Sequence, residues 1–295
     1  MKILDGRELA GFIKERQAIQ VRAMKKKPKL LILRDSDNPV ITKYVNLKKQ
    51  YGEDIGVEVI DVCTNVPSRS ASLAPVDPSG RPRPKGRSAT GRARSSSPCQ
   101  APDLLEEIIR ANNNPDITGI IIQLPLLDKS QTDKLTNLIK PEKDVDGLSE
   151  NGNYDSATAT AINWLLAGYD IKLDRAKIAI VGKGKLVGAP LYQMFTNSGY
   201  DTTLFHKGSD LTKLNQYDII ITATGVPGLI SNSMVAPGAV VVDAGTASEN
   251  GVLKGDLADE VRERQDLTAI TPKIGGVGPL TIACLFDHVI QASIN

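Results

Sequence analysis

Two residues four apart open the chemistry of this chain. Tyr44 and Lys48 lie in a stretch with helical spacing, so a helix would turn both to one side. A lysine whose pKa burial has lowered can act as acid, base or electrostatic anchor, and a tyrosine beside it can stack on an aromatic substrate. By themselves the two also fit an ordinary surface pair. Gln123 is more unusual, because it ends the wholly apolar run GIIIQ, where a buried amide must find a partner. In KDVDG, Asp144 and Asp146 stand at the mouth of a crossover between two halves of the chain. A third group is glycine-rich: in KIAIVGKGKLVGAP, residues 177–190, a strand runs into Gly182 and Gly184, and Gly188 stands where a helix begins. Glycines let backbone approach a phosphate, and a helix N-terminus offers unpaired N–H groups, so a dinucleotide is the natural ligand. A plain tight turn is the alternative. The next strand ends in His206 and Lys207 rather than in the acid usual for NAD, which with Lys183 favours the 2′-phosphate of NADP, NAD being the alternative.

The elements that must position these groups alternate. Short β-branched runs at 29–34, 57–62 and 119–124 are interleaved with helical patterns at about 7–24, 41–54, 103–113 and 130–139. Further runs at 177–182, 201–206, 218–224, 239–244 and 268–271 follow a helix near 158–169. This βαβ rhythm predicts an α/β protein with parallel sheets in two domains. The polar stretch 141–153 marks the boundary. The predicted domains are 1–146, a catalytic domain, and 147–278, a Rossmann-like nucleotide-binding domain, with the last helix, 279–295, packing back on the first.

Composition limits the function classes. The 295 residues are 41% hydrophobic and 24% charged, no apolar run reaches the ~18 to 20 residues of a membrane span, and the N-terminal apolar stretch is too short for a signal peptide. Cys63, Cys99 and Cys284 are too few and scattered for a disulfide framework or a zinc site, so no metal is expected and a cytoplasmic enzyme is. The net charge of +2 conceals a segment, 66–102, with seven basic residues, one acid and seven prolines, leaving −4 for the remainder. Without aromatics or a core, that segment reads as a disordered insertion or an out-of-frame stretch. A basic arm for nucleic acid is disfavoured because no aromatics are interleaved.

In series, LDG (4–6), YVNLK (44–48), GIIIQLPL, PEKDVDG, the glycine turn, ATGVPGLI, VVDAGT, GD (255–256) and TPKIGGVGPLTIA resemble the bifunctional methylenetetrahydrofolate dehydrogenase/methenyltetrahydrofolate cyclohydrolase family nearly end to end; only 66–102 has no counterpart. The resemblance implies an N-terminal α/β catalytic domain and an NADP-binding domain across a cleft, in a homodimer. It implies oxidation of 5,10-methylenetetrahydrofolate and hydrolysis of the methenyl product to 10-formyltetrahydrofolate. Lys48 would be catalytic, tuned by Gln123, with Tyr44 stacking on the folate and Asp146 holding the pterin edge. Leu124, Gly276 and Pro279 would complete the substrate site, with Gly275 and Gly278 in the wall between folate and nicotinamide. The cofactor would meet Gly182, Lys183, Gly184, Lys185, Val187, Gly188, His206, Lys207, Thr224, Gly225, Gly245 and Thr246. The chain departs from the pattern at Ile41, usually Ser, which removes a polar group near Lys48, and at Ser156-Ala157-Thr158-Ala159, Lys183-Gly184, Lys207 and Lys273. The cyclohydrolase step is the one Ile41 touches, so a monofunctional dehydrogenase is the nearest alternative. A shikimate-dehydrogenase-like enzyme would want a Lys/Asp pair across the cleft, and a non-catalytic nucleotide-binding protein would not need Tyr44, Lys48, Gln123 and Asp146 together.

Overall fold

A computed structural model describes residues 1–64, 103–245, 247–249 and 252–294; the basic segment 66–102 and Thr246 lie outside the described residues. The chain begins with β1 (Lys2–Ile3) and α1 (Gly6–Ala23), whose first turn is capped by the Asp5 carboxylate accepting from the Arg7 amide. After β2 (Lys29–Arg34) comes α2 (Pro39–Ile55), which carries the tyrosine and lysine. It starts two residues earlier than apolar spacing alone suggests, because Asn38 caps it and Pro39 fits the first helical position. It ends at Gly56, whose φ of 85° is left-handed. Next are β3 (Glu58–Cys63), α3 (Leu104–Asn112) and β4 (Gly119–Ile122). The helix expected over 130–139 is shorter: a 3₁₀ turn (Lys129–Gln131) leads into α4 (Thr132–Thr136), and the Asn137 side chain instead accepts from the Glu150 amide at 2.9 Å.

The second half contains α5 (Ala157–Gly168), β5 (Ile178–Val181), α6 (Gly188–Asn197), β6 (Thr202–Phe205), β7 (Ile219–Thr222), β8 (Val240–Asp243), a hairpin of β9 (Ala247–Glu249) and β10 (Val252–Lys254), α7 (Asp259–Arg262), β11 (Ala269–Ile270) and α8 (Val277–Ala292). Two parallel sheets result, ordered β3-β2-β4 and β1-β11-β8-β7-β5-β6. Both faces of each are covered, and alternate residues enter different cores: Leu30 and Ile32 join the large central core, whereas Leu31 and Leu33 pack with α3. Likewise Ile178 and Ile180 face the central core, and Ala179 and Val181 the outer one.

The C-terminal helix packs against α1 and α5, between the two sheets. Polar ties fix its rotation. Gln17, fully buried on α1, donates to the Ala283 carbonyl at 2.9 Å and accepts from the Tyr51 hydroxyl at 2.8 Å, while Tyr51 stacks on Phe286. Two residues are too few for any period, so nothing in the sequence suggests β1, yet it pairs with β11 in the second sheet. That crossing brings Gly6 onto the GGVGP segment: its amide donates to the Gly275 carbonyl at 2.9 Å, and a Cβ on Gly6 would lie 1.7 Å from the Gly276 oxygen.

Candidate active site

Three distant positions meet at the carboxyl ends of the first sheet. Lys48 projects from α2, Gln123 follows β4, and Asp146 follows the bridge that pairs Ile120 with Asp144. The Lys48 ammonium donates to Gln123 Oε1 at 2.8 Å. An ammonium has donors only, so the amide must turn its oxygen to the lysine, and its NH₂ donates to the Leu124 carbonyl at 3.2 Å. The Gln123 amide N–H donates to the Leu33 carbonyl at 2.8 Å, continuing the β2-β4 ladder by one residue. The glutamine is thus held from both ends.

Burial holds the Lys48 amine below its ordinary pKa, against the pull of Asp146 in the other direction. Burial likewise pushes the Asp146 carboxyl up; Lys48 offsets part of this, Asp144 adds to it and His288 opposes it. Each group is therefore displaced toward its neutral form. The two acids of KDVDG separate in role. Asp144 is buried and accepts from the Leu148 amide at 3.0 Å and from the amide and hydroxyl of Ser149 at 2.7 and 2.6 Å, which shapes the turn. Asp146 keeps its carboxylate beside the lysine. Between them and α5, Gly147 has a φ of 67°, and a Cβ there would strike the Asp155 oxygen at 2.3 Å.

Tyr44 is half-buried one helical turn before Lys48, while Ile41 is buried in the central core. His288, which its apolar helical surroundings do not single out as functional, is a further neighbour. Its Nδ1 is 2.9 Å from the Val145 carbonyl and its ring stacks on Tyr154, so α8 supports the strand end that carries Asp146.

The glycine turn lies at the carboxyl end of β5, where the strand order reverses between β5 and β7. Gly182 has a φ of 112°, and a Cβ on it would lie 2.5 Å from the Ala223 oxygen; one on Gly188 would lie 1.8 Å from the Gly182 oxygen. These two are explained by packing. Gly184 is not: among the described residues nothing lies within 4 Å of its Cβ position, so its smallness leaves open space at the turn. Helix α6 starts at Gly188 after Val187, and among the described residues no N-cap side chain bonds its first amides. Open space over an uncapped helix start fits a pyrophosphate. Lys183, His206 and Lys207 are exposed around it, with the His206 ring nitrogen Nδ1 3.0 Å from the Lys207 carbonyl. Lys185 is engaged elsewhere: its ammonium donates to Asp133 at 2.6 Å and to the Thr136 hydroxyl at 2.9 Å, tying the turn to α4. The Ser156 hydroxyl, donating to the Leu186 carbonyl at 2.7 Å, is a second such tie.

Beyond β7 and β8, Thr224 and Gly225, with a φ of 68°, begin one loop and buried Gly245 another. In the GGVGP wall, Gly275 has a φ of 94° and faces Arg7, Gly276 packs on Thr271, and Gly278 opens to free space beside half-buried Pro279 at the start of α8. Leu124 is half-buried against the α3-side core.

Known proteins resemble this chain in sequence and in fold. Residues 89–146 match the family model of the tetrahydrofolate dehydrogenase/cyclohydrolase catalytic domain, and residues 156–295 that of the NAD(P)-binding domain. A bifunctional protein FolD of Staphylococcus carnosus is 31% identical over 99% of this chain and 96% of its own, and that of Macrococcus caseolyticus is 32% identical over 99% and 97%. The crystal structure of the bifunctional FolD dehydrogenase/cyclohydrolase from Campylobacter jejuni superposes with a TM-score of 0.81 at 28% identity, covering 100% of this chain and 99% of that one. The chain belongs to the tetrahydrofolate dehydrogenase/cyclohydrolase family, bifunctional enzymes of one-carbon folate metabolism.

Proposed function

We propose that this enzyme uses NADP to oxidise 5,10-methylenetetrahydrofolate to the 5,10-methenyl cation, and then adds water to give 10-formyltetrahydrofolate, with Lys48 handling the proton. The observation that carries this is the 2.8 Å bond from Lys48 to Gln123 beside Asp146. A cationic intermediate is best served by an amine that can be neutral, and an amide orients that amine without adding the negative charge that would keep it protonated. In the hydrolysis, neutral Lys48 takes a proton from the attacking water as its oxygen bonds to the bridge carbon. The C–N5 bond then breaks as the ammonium returns that proton to N5 and the new hydroxyl on the bridge carbon releases its own proton to solvent, leaving the formyl C=O on N10 and one proton set free overall. Asp146 holds the polar edge of the pterin, Tyr44 stacks on its face, and Leu124, Gly276 and Pro279 shape the remaining wall.

Bound NADP supplies the two-electron acceptor for the bridge carbon. Gly184 and the α6 amides, with Val187 and Gly188, would hold its pyrophosphate, and Lys183, His206 and Lys207 its 2′-phosphate, with Thr224, Gly225 and Gly245 along the far side. Two exposed lysines and an exposed histidine favour NADP over NAD. The enzyme acts in the cytoplasm as a homodimer, the state its family resemblance implies. The test is to assay reduced-nicotinamide formation from methylenetetrahydrofolate with each cofactor, and methenyl hydrolysis separately. Reduction of NADP in preference to NAD, together with hydrolysis, is expected; no reduction of either would overturn the dehydrogenase reading.

A further inference from the structure

Beneath the loops that follow β7 and β8 lies a carboxylate that the chemistry above does not use. Asp256 is fully buried. Its Oδ2 accepts from the Thr222 hydroxyl and the Thr224 amide, both at 2.6 Å. Its Oδ1 is buried and has no hydrogen-bond partner among the described residues. Directly above sits Gly245, on which a Cβ would lie 2.1 Å from the carboxylate. The Asp256 backbone is fixed in turn: its amide donates to Asp243 Oδ1 at 3.1 Å, the Gly245 amide donates to the same oxygen at 3.0 Å, and Asp243 pairs with Arg262. One buried acid therefore grips the start of the Thr224 loop and underlies the start of the Gly245 loop.

The grip extends to the glycine turn. The atoms nearest a Cβ on Gly182 are the Ala223 carbonyl and, at 3.3 Å, Thr224 Cγ2, so Thr224 rests against the turn while its amide is pinned by Asp256. A fold needing only a staple could place an uncharged acceptor here; a buried carboxylate is costly unless its bonds hold something that must not move. Every group it holds borders the crevice at the carboxyl ends of β5, β7 and β8, and none borders Lys48.

We propose that Asp256 is a positioning residue for the nicotinamide cofactor, fixing Thr224 against the glycine turn and thereby setting the width of the crevice. This rests on the dehydrogenase/cyclohydrolase reading, and that reading supplies the control, because hydrolysis needs no cofactor. The experiment compares Asp256→Ala, which removes the acceptor, with Asp256→Asn, which keeps an acceptor oxygen without the charge. NADP affinity by calorimetry, the KM for NADP and methenyl hydrolysis are all measured on the full chain. Asp256→Ala is expected to weaken NADP binding and raise its KM about tenfold, and Asp256→Asn about threefold, with hydrolysis within about twofold of wild type in both. Unchanged NADP affinity, or equal loss of both reactions, would overturn the proposal. If Asp256→Ala does not fold, Asp256→Asn decides on the same split. If the wild type binds NADP but oxidises no methylenetetrahydrofolate, the reaction assignment fails, and the calorimetric comparison still decides the role of Asp256.

Discussion

The lysine site and the glycine turn both lie at strand ends, but they are made from opposite materials. The first is a convergence of side chains from positions 48, 123 and 146, in which the protonation of one group depends on the charge of another. The second is made by omitting side chains, so that backbone can pass close to backbone at Gly182 and Gly188 and stay open at Gly184. Electrostatics should therefore govern the first and size the second. An isosteric change of charge is the severe test for Lys48, and a single methyl group is the severe test for the turn.

The largest effect is expected at the lysine. Lys48→Met keeps the length and packing of the side chain and removes its proton chemistry, so methenyl hydrolysis should fall by a factor of about 10² to 10⁴, while the far-UV dichroism and NADP affinity stay near wild type. Hydrolysis at the wild-type rate would remove Lys48 from the mechanism. The matching test of the turn is Gly188→Ala. Its new Cβ would meet the Gly182 carbonyl, which is backbone and cannot swing aside, so a loss of about 1 to 3 kcal/mol in denaturant unfolding and a marked fall in NADP affinity are expected. Gly184→Ala, with free space around it, should leave stability within about 0.5 kcal/mol and weaken NADP binding alone. Equal destabilisation by the two alanines would end the distinction between packing and ligand glycines.

The two regions also differ in how much of them could be read from residue order. Strands at 29–34, 119–124 and 177–182 announce themselves as apolar runs, and Gln123 stands out because an amide ends one of them. The glycine turn is local, so its shape is visible in the fourteen residues 177–190. The partners of a charge are not local. Nothing near Lys185 indicates that it reaches back to Asp133, and KDVDG does not reveal that Asp144 is consumed by the Ser149 turn while Asp146 stays with the lysine. Asp256 was legible only as half of a Gly-Asp pair, since its meaning depends on two loops that meet above it. His288 hides in an apolar helix for the same reason, because the carbonyl it faces lies 143 residues away.

The coupling inside the lysine site gives a sharper test than deletion. Asp146 raises the lysine pKa that burial lowers, so Asp146→Asn should let it fall further. The ascending limb of hydrolysis against pH, which follows deprotonation of Lys48, should then move to lower pH, whatever is lost in substrate affinity. A limb that moves upward or stays in place would show that the two groups do not titrate together. Stability carries the same sign. A lysine held below its ordinary value binds fewer protons folded than unfolded, so it destabilises the fold at low pH, and this is relieved as pH rises from its folded value to the ordinary one. Asp146 behaves oppositely: its cost is absent at low pH and sets in as pH rises from the ordinary carboxylate value through its raised folded value.

The smallest effects are expected where the turn uses charge instead of size. Lys183 and Lys207 are exposed, and water and salt weaken what an exposed cation contributes to a phosphate. Lys183→Ala and Lys207→Ser should each reduce kcat/KM with NADP by about three- to tenfold and leave NAD unchanged, with the difference shrinking as salt is added. Lys185→Ala is the control within the same turn. Its ammonium is already bound to Asp133 and Thr136, so its removal should slightly lower stability without changing the preference between the two cofactors. A loss of NADP preference in Lys185→Ala equal to that in Lys183→Ala would mean that the lysine leaves α4 for the phosphate, and that charge, as well as size, shapes the glycine turn.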